Sequence, residues 1–474
     1  MALGKNIVFT SILTVSNYIV PLIVFPYVSR VLGVVNLGKF GFVESVVSFA
    51  LLFSMFGIYN LGVREIAKSR GNQDSLNATF SSLFFLNAIN TIIVFFIFIF
   101  LIFTYQKFFE YKNLLFFGSF NILFNLFLIQ WFFIGMEKIS FVVYRTIALR
   151  ILYVALVFIF VKNTDDYDVY YLLSVLFVFF NAIVNWFYSR NFVRLSIRLI
   201  NFKTYLSAYF QLGLYAILTS LYTTFTVTYL GIVKSEADVG LYTTAVKIQT
   251  LFLALFTAVS TAVVPYVSKL VHEKNMEGIK DVVGKVQQLL MSIGLPIVIC
   301  LVVLASEIIN IISGREYINA SILLQIIAPT IVLIGFAQIL VLQLLIPFGN
   351  DKIVLRNALV GATIGIVLNV ILVNKFGAIG SAIVWLFSEI VVLVLAQIAV
   401  NRMYHINILD SKVIKQLFSA IPYVIICIIF KRLGFSPIIT LALVGLSFFS
   451  YFIFLNIFVT KNPLLNNILQ RIKN

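Results

Sequence analysis

The chain has 474 residues, of which 61% are hydrophobic and 11% are charged, and its mean hydropathy is +1.06. Soluble domains carry about 25% charged residues, so this composition excludes a water-soluble globular protein and predicts a chain that lies in lipid. The formal net charge of +16 is then expected in cytoplasmic loops, and we expect no nucleic-acid partner.

Apolar segments recur along the chain, and each is long enough to supply the about 20 residues that a membrane-spanning helix needs. No small-residue cleavage site follows the first segment, so we interpret it as a retained span rather than a signal peptide. We predict an all-α integral membrane protein with fourteen spans, which lie near residues 7–29, 40–62, 80–104, 114–135, 140–161, 168–189, 206–230, 240–268, 284–305, 321–346, 353–373, 377–400, 414–431 and 437–459.

The loop charges indicate the orientation of these spans. With a cytoplasmic N-terminus, about 22 basic residues fall in cytoplasmic segments and about 10 fall on the other side, which is the expected asymmetry. A missed span would invert all later loops and remove this bias. We therefore predict that both termini are cytoplasmic.

Two short motifs occur twice, six spans apart. Leu-Gly at 32–33, followed by Gly38, matches Leu-Gly at 230–231, followed by Gly240, and GMEKI at 135–139 matches GNDKI at 349–353. Because six is even, both halves enter the membrane in the same sense, as parallel repeats. We predict one six-helix lobe at 1–205, a second at 206–400, and two additional helices with a cytoplasmic tail at 401–474.

Polar side chains recur at helical spacing on several predicted spans. Span 1 carries Thr10, Thr14, Asn17 and Pro21 on one face, and span 7 carries Gln211, Tyr215, Thr219, Tyr222, Thr226 and Tyr229. Single serines and threonines can simply bond their own backbone or let helices pack closely. Whole stripes on repeat-related spans instead favour a water-filled cavity between the lobes.

The candidates for functional charges inside predicted spans are Glu44, Arg150, Lys247 and Glu389. A charge at the bilayer centre costs roughly 2.5–3.5 kcal/mol on the insertion scale, so such residues usually face protein or water. Glu44 and Lys247 occupy nearly equivalent positions in the two lobes and would form either a static ion pair or one that parts between states. Glu389 is either a proton or cation site or a hydrogen-bonded structural carboxylate.

The first span also contains two prolines and ends on a cation. Pro21 and Pro26 each remove a backbone donor, which predicts either an ordinary membrane kink or a gate that bends. Arg30 either reaches the interface as a snorkelling side chain or attracts an anion at the outer mouth of the cavity.

The chain carries no recognisable catalytic or cofactor motif. It has no phosphate-cradling glycine loop with its lysine and no GxSxG segment, which argues against an ATPase or a serine hydrolase. Cys300 and Cys427 lie in apolar runs and are interpreted as packing residues, while His272 and His405 have no ligand partners at metal spacing. We expect no enzyme, cofactor or metal, and transport without covalent chemistry.

Four segments carry a resemblance to a known family: FPYVSRVLGVVNLGKFGF at 25–42, FGIYNLGVREIAKSR at 56–70, QWFFIGMEKISFVVYR at 130–145 and NKFGAIGSAIVW at 374–385. Together they resemble polysaccharide-export flippases, the O-antigen flippase group of the multidrug/oligosaccharidyl-lipid/polysaccharide exporter superfamily. The resemblance implies two six-helix lobes around a cavity in a bacterial inner membrane. It implies as substrate an undecaprenyl-pyrophosphate-linked oligosaccharide, flipped from the cytoplasmic to the periplasmic leaflet.

The resemblance further implies that cations receive the pyrophosphate. Arg30, Arg64 and Arg145 lie in the matched segments, whereas the roles of Arg150 and Lys247 are inferred from their position inside spans. The glycan would meet a second set of polar residues, Asn17, Gln211, Tyr215, Tyr222 and Tyr229, and gating or ion coupling would use Glu44, Glu389, Pro21 and Pro26.

The remaining expectations concern partners and rival functions. Since no nucleotide site is found, an ion gradient or the concentration gradient would drive transport, with a polymerase or ligase acting downstream and the protein a monomer in the lipid bilayer. The first rival is a drug or organic-cation antiporter of the same superfamily. Two rivals of a different class are a membrane-embedded glycosyltransferase, which the short outer loops disfavour, and a non-transporting scaffold, which the charges inside spans disfavour.

Overall fold

A computed structural model of the chain describes the backbone of residues 2–454, and the side chains of that range except those of 2–15, 18, 199, 215, 218–223, 453 and 454. Within the described residues the chain is helical and contains no strand. Lipid offers no hydrogen-bond partners to a backbone, so an apolar chain in a membrane must satisfy its N–H and C=O groups within helices. The predicted all-α membrane fold is confirmed.

The chain divides into two units, Met1–Gly240 and Leu241–Asn474. This division keeps the helix at 203–233 in the first unit, whereas the sequence repeat assigns it to the second lobe. The units are defined by which residues pack together and the predicted lobes by which segments repeat, so the predicted boundaries at 205 and 400 stay predictions.

Over residues 2–240 the first unit contains nine helices that begin and end within it: α1 Ala2–Met55, α2 Ile58–Ser69, α3 Gln73–Thr104, α4 Gln106–Glu110, α5 Lys112–Leu128, α6 Gln130–Gly135, α7 Ile139–Phe160, α8 Tyr167–Ser189 and α9 Lys203–Val233.

Helix α1 covers the first predicted span and residues 40–55 of the second, and its backbone leaves helical geometry at Gly33. Gly33 has φ 73° and ψ 174°, a combination open essentially to glycine alone. Pro21 and Pro26 lie within the helical stretch before this break. The sequence signal that marks the break is therefore the Leu32-Gly33 motif rather than the prolines.

The glycines that end the repeated motif meet each other in the first unit. A Cβ atom on Gly38 would overlap the carbonyl of Glu236, and one on Gly240 would overlap the carbonyl of Val34. The hydroxyl of Tyr111 donates to the Glu236 carboxylate, and Lys107 Nζ lies 3.9 Å from it. Burial and this hydrogen bond raise the pKa of the Tyr111 phenol, so it remains a donor. The connection after α9 is thus fixed against α1 by contacts that only glycine permits.

The boundary between α5 and α6 shows how a break is accommodated inside the membrane. Ile129 has φ 33°, so the helix is interrupted there and the carbonyl of Leu128 loses its helical partner. Asn185 of α8 donates its side-chain amide to that carbonyl. An uncompensated carbonyl in lipid costs several kcal/mol, which gives Asn185 a structural role.

The second unit is built around α16. Up to residue 454 its ten helices are α10 Glu236–His272, whose first residues belong to the first unit, α11 Met276–Val303, α12 Ala305–Ile312, α13 Ala320–Ile327, α14 Thr330–Gln338, α15 Asp351–Leu368, α16 Asn374–Tyr404, α17 Ser411–Ser419, α18 Ile421–Arg432 and α19 Pro437–Phe454. Two π-helical segments, Ile339–Leu345 and Asn369–Val373, follow α14 and α15. Helix α16 packs against α13, α14 and α15 and is itself interrupted at Gly377, where φ is 56°.

Each of the fourteen predicted spans overlaps a helix within residues 2–454. Ten helical segments of that range are long and apolar enough to cross a membrane. Two of them, Ile19–Ser69 and Asp351–Tyr404, contain 51 and 54 residues, which is enough for two crossings each. Shorter apolar helices at Thr224–Val233 and Pro437–Phe452 correspond to predicted spans 7 and 14.

Candidate functional site

A cavity of about 260 Å³ lies inside the first unit, among α1, α5, α7 and α8. It mixes apolar, hydrogen-bonding and charged side chains, in contrast to the apolar cavity between α10 and α11 of the second unit. The residues that line it are Asn17, Val20, Pro21, Glu44, Asn121, Arg150, Tyr153, Ser174, Phe177 and Val178. Four of the predicted site residues, Asn17, Pro21, Glu44 and Arg150, are thus brought together.

Helical spacing explains how these side chains reach one cavity. Asn17 and Pro21 are four residues apart on α1, and Arg150 and Tyr153 are three apart on α7. Residues three or four apart lie on the same face of a helix. Each helix therefore turns a pair of lining residues toward the same space.

Arg150 is held in position by α1. One terminal nitrogen of its guanidinium donates to Ser16 Oγ and the other donates to Asn17 Oδ1. Guanidinium has five N–H donors in a rigid plane, so these two bonds fix its orientation and leave further donors for a ligand. The cavity therefore presents an oriented cation from the middle of a spanning helix.

Glu44 adds a carboxylate to the same cavity and lies beside three tyrosines. It interacts electrostatically with Tyr153, Tyr170 and Tyr171, and the hydroxyls of Tyr153 and Tyr170 share a hydrogen bond. The ring of Tyr170 packs against Phe40 at 4.6 Å between centroids. This packing holds the hydroxyl groups next to the carboxylate.

Asn121 contributes an uncommitted acceptor. Its side chain is 6% exposed, and its Oδ1 has no hydrogen-bond partner among the described residues. A buried amide oxygen without a partner costs about 1–3 kcal/mol, so an N–H or O–H group in the cavity would be bound there. Among the residues that the structure describes, no group of three or more His, Cys, Asp or Glu is arranged to hold a metal ion.

Two other predicted cations lie away from this cavity. Arg145 is 6% exposed between α7 and α8, where it donates to the carbonyl of Asn181 at 3.3 Å and to Thr146 Oγ1 at 2.9 Å. Arg64 is exposed on α2 and pairs with its neighbour Glu65 at 2.8 Å. Arg30 is exposed near the end of the first half of α1, and Pro26 is half-buried one turn before it.

The predicted stripe on α9 is described only in part. Gln211 is exposed and donates to Ser207 Oγ at 3.4 Å. The ring of Tyr229 stacks on Phe225 at 5.6 Å between centroids. The side chains of Tyr215 and Tyr222 lie outside the described part of the chain, so a glycan role for this stripe stays a prediction.

The predicted charges of the second unit lie on α10 and α16. Lys247 is half-buried, and its carbonyl accepts from Thr250 Oγ1 at 2.9 Å. Glu389 is 4% exposed and accepts a hydrogen bond from Trp385 Nε1 at 3.1 Å. A coupling role and a structural role for Glu389 both stay open.

Sequence reasoning missed several lining residues. Asn121, Tyr153, Ser174 and Phe177 line the cavity but are not among the predicted site residues. A signal did exist for Tyr153, because it lies one turn from Arg150 on the same helix. For Ser174 and Phe177 the sequence offers only a helical spacing that many lipid-facing pairs share.

The chain is similar to several known proteins. Residues 3–271 match the family described as polysaccharide biosynthesis protein, and residues 212–371 match the MatE family. The chain is 26% identical over 403 residues to the "Putative O-antigen transporter" of Escherichia coli (strain K12). The aligned region covers 83% of this chain and 95% of the relative.

Two solved structures share the fold. The lipid II flippase MurJ in an inward closed conformation superposes with a TM-score of 0.77 at 15% identity, over 96% of this chain and 99% of that one. An inward-facing multidrug resistance MATE family transporter of the MOP superfamily gives a TM-score of 0.65 at 15% identity, over 81% of this chain and 94% of the other. At these identities the likeness concerns the fold.

Proposed function

The chain belongs to the polysaccharide biosynthesis protein family, and from this premise we propose that it is a flippase for a polyprenyl-pyrophosphate-linked oligosaccharide. The resemblance found in four sequence segments is thereby confirmed, and the protein is a membrane transporter rather than an enzyme. The proposed substrate is an O-antigen, capsule or exopolysaccharide repeat unit, moved from the cytoplasmic to the periplasmic leaflet by alternating access. The observation that carries this proposal is the oriented cation, Arg150, in the cavity of the first unit.

The chemistry of the cavity supports an anionic headgroup as its occupant. A pyrophosphate offers several acceptor oxygens, and guanidinium donors form short, charge-assisted hydrogen bonds with such groups. A cavity of about 260 Å³ is smaller than the about 300–1,000 Å³ of sites that enclose drug-sized ligands. We therefore assign to it the headgroup or the first sugar alone, while the rest of the glycan lies elsewhere and the prenyl tail stays in lipid.

Glu44 gives the proposed site a means of coupling. A bound phosphate and the Glu44 carboxylate would repel each other within the same small cavity. The repulsion is relieved when Glu44 takes up a proton or moves away, and either event links binding to a change in α1. Glu389 is retained as a second candidate for coupling, in the second unit.

Helix α1 is the proposed moving part. Its residues Asn17 and Pro21 line the cavity. Its two halves meet at Gly33, whose backbone dihedral angles are accessible essentially only to glycine. A ligand that withdraws Arg150 from Ser16 and Asn17 would free the first half of α1 to bend at Pro21 and Pro26. Alternating access requires such a change of helix position between states.

We also propose a bacterial inner membrane location with both termini cytoplasmic, action as a monomer, and a polymerase or ligase that takes the flipped product. The relative in Escherichia coli, described as a putative O-antigen transporter, supports this location, and the loop charges support the orientation. Fusions of a reporter that is active only in the cytoplasm to residue 1 and to residue 474 test the orientation, and we expect both fusions to be active. A periplasmic reporter at either end would contradict it.

The decisive experiment is complementation of a bacterial strain that lacks its own O-antigen flippase. We expect the wild type to restore surface glycan, and Arg150→Ala to abolish it at equal membrane abundance, with Arg150→Lys retaining part because it keeps the charge but not the planar fork. Arg194→Ala is the matched control, an exposed arginine of the first unit outside the cavity. Restoration by Arg150→Ala at wild-type level would refute the role of this cavity.

A drug or organic-cation antiporter is the second candidate function. It is favoured by the match of residues 212–371 to the MatE family and by the Glu44 carboxylate, which would attract a cation. The same strain distinguishes the two functions. Ethidium efflux that depends on Glu44, without glycan delivery, would support the antiporter.

A further inference from the structure

A second cavity of the first unit has no part in the proposed transport site. It measures about 620 Å³ and lies where α3 ends and where α5 and α8 begin. Its apolar wall consists of Phe103, Leu114, Phe116 and Phe117, and its polar rim consists of Lys112, Asn113 and Asp168. The phenylalanines are 57%, 43% and 45% exposed, so this wall faces the surroundings of the unit rather than its core.

The position of the rim is that of a membrane interface. Lys112 is the first residue of α5, Asp168 is the second residue of α8, and α3 ends one residue after Phe103. Three spanning helices therefore end together, at the level where lipid headgroups lie. Phe116 and Phe117 follow Lys112 by four and five residues, which is about 6–7.5 Å deeper along the helix.

The rim carries one charge of each sign. Lys112 and Asp168 both line the cavity; among the described residues neither lies within salt-bridge distance of an opposite charge, although Lys39 of α1 interacts electrostatically with Asp168. Lys112 Nζ instead lies 4.4 Å from the centroid of the Phe109 ring, and Asp168 lies at the positive N-terminal end of α8. The two charges are thus available, at the mouth of one groove, to a ligand that itself carries both signs.

From this arrangement we infer that the groove binds one zwitterionic aminophospholipid of the ethanolamine type. Lys112 and the Asn113 amide bind the phosphodiester, Asp168 accepts from the lipid ammonium, and an acyl chain lies on Phe103, Phe116 and Phe117. An anionic lipid without an amine brings the same phosphodiester charge but no ammonium group to offset its repulsion by Asp168. A choline lipid has no N–H to donate to the carboxylate, so it binds more weakly.

This lipid is bound rather than transported, and the inference does not depend on the proposed function. A chain lying across α3, α5 and α8 would contact the ends of all three helices at this rim. The bound lipid would therefore stabilise the first unit at the end where α4 and the connection after α9 also lie. In the orientation expected from the loop charges, this is the outer leaflet.

The test is native mass spectrometry of the purified full chain, equilibrated with equimolar phosphatidylethanolamine, phosphatidylglycerol and phosphatidylcholine. The wild type should retain one phosphatidylethanolamine in preference to the other two. Lys112→Gln should lower retention of phosphatidylethanolamine and phosphatidylglycerol alike, by about fivefold, as expected for one exposed charge pair. Asp168→Asn should remove the preference for phosphatidylethanolamine over phosphatidylglycerol.

Lys162→Gln and Asp165→Asn are the matched controls, because both residues are exposed charges between α7 and α8 that do not line the groove. Both should behave as the wild type. The inference is overturned if the wild type prefers phosphatidylglycerol, retains no lipid, or keeps its preference in both groove variants. Unfolding temperatures of all variants, measured in lipid-free detergent, separate loss of lipid from loss of fold.

Discussion

A pair of polar residues in the first unit is bonded across helices, whereas a pair in the second unit has no partners among the described residues. In the first unit, Arg150 is bonded across helices to Ser16 and Asn17, and Asn185 caps the carbonyl freed at Ile129. In the second unit, Gln343 and Asn357 are almost fully buried, and neither side-chain polar atom of either residue has a partner among the described residues. The first unit uses polar groups to hold broken helices and a cation in place. In the second unit, replacing Gln343 or Asn357 by an apolar residue should raise the free energy of unfolding.

The largest effect should come from the close approach in the first unit. Gly38→Val would drive a branched side chain into the carbonyl of Glu236, and backbone on both sides prevents relief. Overpacking typically costs about 1–3 kcal/mol, and a clash with backbone belongs at the upper end. We expect a lower unfolding temperature, measured by tryptophan fluorescence in detergent, together with loss of glycan delivery.

Gly284→Ala is the matched control, because a Cβ atom there meets no atom within 4 Å and the residue lies within α11. Alanine favours a helix over glycine by about 1 kcal/mol, so this variant should be more stable than the wild type. Equal stability of Gly38→Val and the wild type would mean that α1 and the connection after α9 do not touch at Gly38.

A pair of asparagine variants tests the comparison directly. Asn185→Leu orphans the carbonyl of Leu128 in the first unit, which should cost about 1–3 kcal/mol. Asn357→Leu removes two unpartnered polar atoms from the second unit and should stabilise the protein by a similar or smaller amount. Chemical denaturation of both variants in detergent measures the change in the free energy of unfolding, which should be a decrease for Asn185→Leu and an increase for Asn357→Leu.

The comparison fails if both variants are destabilised, because Asn357 would then hold a partner such as a bound water. A stabilised Asn357→Leu protein that no longer transports would instead give the amide a role in function. The π-helical segments beside α15 favour that second outcome, since such segments are often found at functional sites.

The two acidic residues should differ in transport rather than in stability. Glu44→Gln removes the charge that repels a bound phosphate, so affinity for the substrate should rise while turnover falls by about tenfold, which is within the usual range of coupling between two binding events. Glu389→Gln keeps an acceptor for Trp385 Nε1, and as a structural group it should leave transport within about twofold. Delivery rates in proteoliposomes over a range of substrate concentrations separate these effects.

Loss of transport in Glu389→Gln at an unchanged unfolding temperature would identify Glu389 as the coupling site. Restored transport of that variant when a proton gradient is imposed would then contradict a proton role. Glu44→Gln with unchanged affinity would remove the electrostatic argument for the first cavity.

The sequence predicted the spans well because lipid imposes one strong rule, an apolar helix of sufficient length, and every predicted span overlaps a helix. The position of Gly33 in a repeated motif and the charge of Arg150 were also visible. The pairing of Arg150 with Ser16 and Asn17 was not, because it joins residues 133 and 134 positions apart. Likewise, the groove at Lys112 and Asp168 depends on which helix ends lie next to each other, and the spacing of residues along the chain does not predict that arrangement.

The smallest effect concerns Arg64, which the resemblance in sequence connects with pyrophosphate. Its guanidinium is exposed, and it shares the Glu65 carboxylate with Lys68, which lies 2.9 Å from the same oxygen. Removing one partner of such an exposed pair typically changes stability by less than about 1 kcal/mol. Arg64→Gln should therefore leave both the unfolding temperature and glycan delivery near wild-type values. A delivery defect as large as that of Arg150→Ala would indicate that the headgroup binds at the surface of α2. It would contradict the proposal that the substrate is first held in the cavity of the first unit.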